Sequence, residues 1–311
     1  MRNKISISYF DREKHAVMQE KVFAGGFLFW SYNSRLGRLA TDLVLSHKAV
    51  SLLYGWLNRR PFSRHRIRSF VEEMNVKADE FTCSIDDFDS FNHFFVREID
   101  PRQRPIHSDP DVCIAPVDGK ILAYPVIMPD TIFRIKRSTF NLRSFLDDRT
   151  LAERFAGGSM IVSRLSLADY HHFHFPDWGV PRKAVPIRGK YYVSGPYALS
   201  TLIPFYKENH RALTLFDSDN FGQMAIIEVG AFTVGSIQQR YRPGVRVSRA
   251  DQKGFFELGG STVVLLFQED SIELDPDLCM NTRNNLETYV RLGDSIGRRS
   301  SQRSKKARSA A

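Results

Sequence analysis

Three short stretches of the sequence concentrate groups that move protons or attack carbonyls. Residues 115–120 read APVDGK, with Asp118 directly before Gly119 in the setting of a β-turn; taken alone, this is a turn aspartate. Residues 168–179 read ADYHHFHFPDWG and crowd His171, His172 and His174 together. An extended backbone would put His172 and His174 on one face, whereas a turn or helix would group His171 with His174. Imidazole titrates near neutral pH, so one histidine as a general base and another as a proton donor is the natural chemistry of such a cluster. A metal site would need two of them plus a carboxylate such as Asp169 or Asp177, and no HExxH-like spacing supports it. Residues 257–267 read ELGGSTVVLLF, where Gly259, Gly260 and Ser261 open a strongly apolar run. Ser261 is not a nucleophile elbow, because Val263 stands where GxSxG requires glycine. A glycine bulge entering a core strand is the ordinary reading. The two glycines nevertheless leave the Gly260 carbonyl uncrowded, so the Ser261 hydroxyl can attack the carbonyl of its own preceding residue. That step needs a base for the hydroxyl proton and an acidic partner to orient the base.

The elements that must position these groups change in character along the chain. The first ninety residues read mainly as helices. Leu39, Leu43, Val50, Leu53 and Leu57 recur at helical spacing between Arg35 and Arg59, and Arg59, Arg60, Arg64, Arg66 and Arg68 follow closely. Tyr54 and Trp56 sit where the apolar stripe meets the basic run, as in an interfacial membrane helix, although packing on the protein's own core explains the stripe equally simply. Residues 22–30 (VFAGGFLFW) are either a short dipping segment or core. From Val112 onward the texture turns to short runs rich in Val, Ile, Tyr and Phe, such as SMIVSRL, QMAIIEV and STVVLLF, with short helical patterns near 142–155 and 205–211. The reading is α+β: a helical, basic, membrane-associating region over 1–90, a β-rich sandwich- or barrel-like catalytic core over 91–290, and a disordered basic tail over 291–311.

Composition narrows the function classes. At 311 residues, with 42% hydrophobic and 25% charged residues, the chain has an ordinary globular make-up that excludes wholesale disorder and collagen-like repeats. Cys83, Cys113 and Cys279 form no CxxC pair, which disfavours a disulfide framework or a cysteine-rich zinc site and favours a reducing compartment. No uncharged apolar stretch reaches about 18 residues, so a spanning helix is not expected. The N-terminus lacks the pattern of a signal peptide, so the cytoplasmic side is expected, with the protein lying on a membrane at most. The net charge is +9, and six basic residues with no acid fall after Gly297. Such a block suits an anionic surface, at roughly 1 kcal/mol per Lys or Arg near anionic lipid. No nucleic-acid recognition motif accompanies it, so lipid is the expected partner and nucleic acid is not.

The ordered set of motifs resembles the phosphatidylserine decarboxylase family. The match runs through FFVREIDPRQRPI (residues 94–106), APVDGK (115–120), DYHHFHFPDWG (169–179), FGQMAIIEVGAFTVGSI (221–237) and GFFELGGSTVVLLF (254–267). The resemblance implies that Ser261 is the self-processing serine and that the chain breaks between Gly260 and Ser261. It implies that His174 is the processing base with Asp118 as its carboxylate partner, and that His171 assists decarboxylation. His172 falls where many relatives carry Arg and receives no role. The cofactor implied is a pyruvoyl group made from Ser261, with no metal and no pyridoxal phosphate. Attack of Oγ on the Gly260 carbonyl gives an ester, elimination gives dehydroalanine, and loss of ammonia leaves the keto group. That group would take up the charge left on the substrate α-carbon as carbon dioxide departs. The implied reaction turns phosphatidylserine into phosphatidylethanolamine at the cytoplasmic face of a membrane, by a heterodimer of the two self-cleaved chains that dimerises further. Tyr192 to Pro196 departs from the family's usual stretch there, so substrate contacts in that loop are not carried over. The competing readings are a metal-dependent hydrolase built on the histidines and a non-enzymatic basic lipid-binding module.

Overall fold

A computed structural model of the chain describes residues 7–21, 34, 37, 48–135, 138–190, 208–230, 237–258 and 261–301. The N-terminal region opens on a hairpin of β1 (Ser8–Asp11) and β2 (Ala16–Gln19), followed by α1 (Lys48–Asn58), α2 (Arg66–Met74) and α3 (Phe91–Phe95). Next come β3 (Val112–Ile114), β4 (Gly119–Tyr124), β5 (Phe133–Ile135), β6 (Ser138–Phe140), α4 (Leu142–Leu146) and α5 (Arg149–Arg154). The middle of the chain is β7 (Ser159–Leu165), β8 (His172–His174), β9 (Gly179–Pro181), β10 (Val185–Ile187), β11 (Arg211–Ser218), β12 (Gly222–Val229) and β13 (Ile237–Gln239). It ends with β14 (Gln252–Phe256), β15 (Ser261–Phe267), β16 (Ile272–Leu274), α6 (Pro276–Arg283), β17 (Glu287–Val290) and β18 (Ser295–Arg299).

The core is one ten-stranded sheet ordered β10-β11-β12-β15-β7-β4-β17-β1-β2, with β9 added beside β11. A continuous apolar run such as STVVLLF is what a strand covered on both faces requires, and all seven residues of β15 are buried. Side chains alternate across the sheet. Val263, Leu265 and Phe267 point into a cluster with Phe95, Phe173 and Phe256, while Val264 and Leu266 point into a second cluster with Phe145, Phe155 and Val162. Ser261 has the parity of Val263 and therefore faces the first cluster.

Register brings two motifs to the same end of this sheet. Ser261 pairs with Leu165, and Lys120 pairs with Arg164 on the other side of β7. Continuing that second register by one residue sets Gly119 opposite Leu165. Asp118 and Ser261 thus flank β7, about 10 Å apart at two strand spacings. Two three-stranded sheets are separate from the main one: β13-β14-β8, which carries the histidines, and β16-β18-β3.

Three expectations from the sequence are corrected. The N-terminal region is not simply helical: residues 8–19 form a hairpin whose β1 runs parallel to β17 and extends the main sheet. The short alternating runs SYFD and AVMQ suit a half-covered edge better than a helix. The main sheet is open, with no barrel closure among the described residues. Residues 295–299, expected within a disordered tail, form β18 between β16 and β3, where Arg298 and Arg299 pair with Asp109 and Asp111. Their basic charge is neutralised locally. The helical pattern near 142–155 appears as α4 and α5; of the pattern near 205–211, residues 205–207 lie outside the described residues and Arg211 opens β11. The part of the stripe over 35–47 (apart from position 37), the segment 22–30, the loop 192–196 and the terminal residues 302–311 lie outside the described residues, as do Gly259 and Gly260.

Candidate active site

The chain approaches Ser261 along β14, which runs antiparallel to β8 with Gln252 opposite His174 and Phe255 opposite His172. The Phe256 N–H donates to the His171 carbonyl at 2.9 Å, so the histidine strand and the serine segment are laced together. Beyond β14, Arg59 at the end of α1 ion-pairs with Glu257, and the Leu258 N–H donates to Asn92 Oδ1 at 3.3 Å. Both anchors come from the helical region, which therefore holds the approach to Ser261. The Ser261 hydroxyl is fully buried and has no hydrogen-bond partner among the described residues. An unpartnered buried hydroxyl costs about 1–3 kcal/mol. Alanine at this position would avoid that cost, so the hydroxyl is not there for stability.

Strand β8 is extended, and the rings follow. Tyr170, His172 and His174 share one face: Tyr170 stacks on His172 with centroids 4.7 Å apart and lies 5.9 Å from His174. His171 has the other parity and packs on Phe95 at 3.9 Å, beside the cluster that Ser261 faces. The three imidazoles do not converge on a common point as metal ligands would.

Each histidine has its tautomer set by a neighbour. His171 Nδ1 lies 2.8 Å from the Asp169 carbonyl and His174 Nδ1 2.9 Å from the Ala250 carbonyl. A carbonyl only accepts, so both rings donate from Nδ1, and Nε2 is the basic nitrogen of the neutral ring. The His174 Nε2 is buried and has no hydrogen-bond partner among the described residues. Burial pushes its pKa down to about 4, with the nearby Asp118 charge pulling weakly the other way. It is a neutral, proton-accepting imidazole at physiological pH. His172 is satisfied at both nitrogens, donating to the Val96 carbonyl at 3.0 Å and accepting from Gln252 at 2.6 Å, which suits a structural ring.

Asp118 is almost wholly buried, but its carboxylate does not touch His174. Both of its oxygens are gripped by Arg104, and the Leu292 N–H donates to Oδ1 at 2.8 Å. It acts on His174 through its field alone. The expected direct Asp118–His174 contact is thus absent among the described residues, because the guanidinium of Arg104 and the backbone of Leu292 occupy the carboxylate. No hydrogen bond joins Ser261 to an imidazole among them either.

Sequence reasoning passed over Arg97 and Arg104, although both stand in the stretch FFVREIDPRQRPI. Arg97 is 3% exposed and Arg104 6%. The one signal was an arginine directly after the apolar FFV, a place where a solvated side chain is out of character. Glu20, Lys120, Arg164 and Glu287 were also missed. They form a buried ion-pair network between the hairpin and the main sheet.

Fold and site define a β-sheet enzyme with buried acid–base groups gathered at one end of its central strands. The family model for phosphatidylserine decarboxylase matches residues 91–298. The phosphatidylserine decarboxylase proenzyme of Chlamydia felis is 41% identical over 294 residues, covering 94% of this chain and 98% of that one. The proenzymes of Clostridium perfringens and Clostridium beijerinckii are 38% and 39% identical, each over 94% of this chain and 99% and 98% of their own. The chain belongs to the phosphatidylserine decarboxylase family.

Proposed function

We propose that the protein is a self-cleaving carboxy-lyase that converts phosphatidylserine to phosphatidylethanolamine, using a pyruvoyl group formed from its own Ser261. The observation that carries this reading is the buried, unpartnered hydroxyl of Ser261 at the head of a central strand. In the cleavage, Ser261 Oγ attacks the Gly260 carbonyl carbon and its proton passes to a base, for which His174 Nε2 is the candidate. The peptide C–N bond breaks, leaving the Gly260 acyl group on Oγ and a free amine at position 261. Removal of the Ser261 α-proton expels the Gly260 carboxylate and leaves dehydroalanine. Its imine tautomer takes up water and releases ammonia, which completes the keto group. The residues fit such a group: the seven buried positions of β15, paired with β12 on one side and β7 on the other, hold the new N-terminus in the core after the chain breaks.

The keto group, when formed, supplies an electron sink for the substrate α-carbon as carbon dioxide leaves. His171 borders the same apolar cluster that Ser261 faces, with Nδ1 committed to a carbonyl. That supports its role in proton return: Nε2, bare in the neutral ring, first takes up a proton and then delivers it to the α-carbon. Asp118, buried and paired with Arg104, supports the basicity of His174 through its charge, against the effect of burial.

The proposed setting is an anionic membrane surface on the cytoplasmic side. Leu53, Trp56 and Phe62 are exposed beside Arg59, Arg60 and Arg64, which suits an interfacial surface. No helix among the described residues is long and apolar enough to cross a membrane. The working unit proposed is a heterodimer of the two cleaved chains, which pairs further.

Intact mass under denaturing conditions tests the reading. The expected result is two chains split after Gly260, the smaller lighter than its sequence by one ammonia, and a single chain for Ser261→Ala. A wild-type protein that stays uncut would overturn it.

A further inference from the structure

We propose that Arg97 is a positioning residue for His171, holding in place the carbonyl that aims the imidazole; this rests on the reading of His171 as the proton carrier of decarboxylation. The Asp169 carbonyl oxygen accepts from His171 Nδ1 at 2.8 Å and from Arg97 Nη2 at 3.1 Å, one donor for each lone pair. The same Nη2 lies 2.6 Å from the Ala168 carbonyl, so the guanidinium clamps two successive peptide oxygens of the turn that leads into the histidine strand.

Arg97 is an expensive way to fill this space. It is 3% exposed and makes no ion pair with a carboxylate among the described residues. Burial pushes its pKa down to about 10. Its plane is covered by the rings of Phe81 and Phe94, with centroids 5.2 and 4.9 Å from the guanidinium carbon, which returns part of the desolvation cost through cation–π attraction. Methionine would occupy the volume without burying a charge. What only the guanidinium supplies is the grip on the two carbonyls. The rest of Asp169 is held independently, with its carboxylate accepting from the Ser166 N–H at 2.6 Å and from Lys120 Nζ at 3.4 Å. Removing Arg97 therefore frees the carbonyl side of this turn while leaving its carboxylate side anchored.

The test compares Arg97→Met, Arg97→Gln, His171→Ala and the double variant Arg97→Gln/His171→Ala in the full chain. The readouts are intact mass for cleavage, and kcat and KM for decarboxylation of phosphatidylserine in mixed micelles. Expected are complete cleavage in both Arg97 variants and a fall in kcat of roughly 10- to 100-fold, the scale of a 1 Å misplacement, with KM within about two-fold. The glutamine variant, which keeps an N–H donor, should lose less and carries the comparison if the methionine variant does not fold. In the His171→Ala background, Arg97→Gln should cost nothing more. A raised KM with kcat intact would make Arg97 a substrate contact and overturn the proposal. A full multiplicative loss in the double variant would overturn it too. Undiminished kcat in His171→Ala alone would instead remove the underlying reading of His171.

Discussion

Arg104 holds Asp118 by both carboxylate oxygens, with Nε 3.0 Å from each and Nη2 2.6 Å from Oδ2. The pair is buried, and Arg104 reaches on to Glu80 at 2.8 Å. Whatever Asp118 contributes to His174 is delivered as charge across space, already partly balanced by a guanidinium. Arg104→Met would strand the Asp118 charge in the core, and breaking a buried pair this way costs about 3–5 kcal/mol. Adding Asp118→Leu should recover much of that loss. Urea unfolding of Arg104→Met and of Arg104→Met/Asp118→Leu, both in an uncleavable Ser261→Ala background and compared with that parent, checks both statements. Recovery by the double variant is the diagnostic result.

His174 makes acid stability a readout of its burial. The unfolded chain protonates this imidazole near 6.5, the folded chain only near 4. Above pH 6.5 both states are neutral and the full stability is present. As pH falls toward 4 the unfolded state gains a proton that the native state refuses, and stability drops by about 1.4 kcal/mol per unit. At pH 5 the loss assigned to His174 is about 2 kcal/mol. In the Ser261→Ala background, His174→Gln should therefore show a smaller difference between pH 7.5 and pH 5 by about that amount. Equal differences in the two proteins would mean that the ring titrates normally.

Much of this was legible before any coordinates, for identifiable reasons. The apolar run STVVLLF required a strand covered on both faces, and β15 is that strand. Of the two groupings the sequence left open for the histidines, the extended one is found, with His172 and His174 on one side and His171 on the other. What stayed hidden depends on long-range pairing. The short runs SYFD and AVMQ suit strands, but nothing local places them in the main sheet, because the strand that takes up β1, β17, lies nearly three hundred residues away. The tail's Arg298 and Arg299 look like solvated charge until Asp109 and Asp111 are brought beside them. The grip of Arg104 on Asp118 likewise needs the intervening turn to fold back. Pattern reads the faces of elements, and it is silent on which distant charge a buried arginine meets.

The hairpin is bound to the main sheet by charge as well as by the β1–β17 pairing, and Glu20 carries the most deeply buried of those charges. Glu20 directly follows β2 and is buried against Arg164 at 2.7 Å, with Ser166 and Lys120 also in reach. Burial alone would raise its pKa, but Arg164 and Lys120 outweigh that and hold the carboxyl far below the usual range. Arg164 is 1% exposed and would keep only Glu287 if Glu20 were lost. Glu20→Ala should therefore cost about 3 kcal/mol in urea unfolding. Lys14→Ala, which removes the half-exposed partner of Asp11 in the same hairpin, should cost less than about 1 kcal/mol. Comparable losses would show that the hairpin is held by its backbone pairing alone.

The surface around α1 carries the prediction about membranes. Leu53 is 58% exposed, Trp56 48% and Phe62 60%, an unusual density of large apolar groups left to water. Arg60 lies over the Trp56 ring at 4.2 Å, so charge and apolar surface are presented together. Arg59 directly follows this helix, and its ion pair with Glu257 reaches the segment leading to Ser261, so a docked surface would stand close to the chemistry. Burying one such side chain is worth about 1.5–3 kcal/mol. Trp56→Ala with Phe62→Ala should weaken binding to vesicles containing phosphatidylserine by at least about 100-fold in a sedimentation assay. Arg60→Gln with Arg64→Gln should weaken it less, by about 1 kcal/mol per residue, and should flatten its salt dependence. None of these four residues touches the catalytic groups, so chain cleavage should remain complete throughout. Unchanged vesicle binding in the aromatic double variant would move the docking surface elsewhere on the molecule.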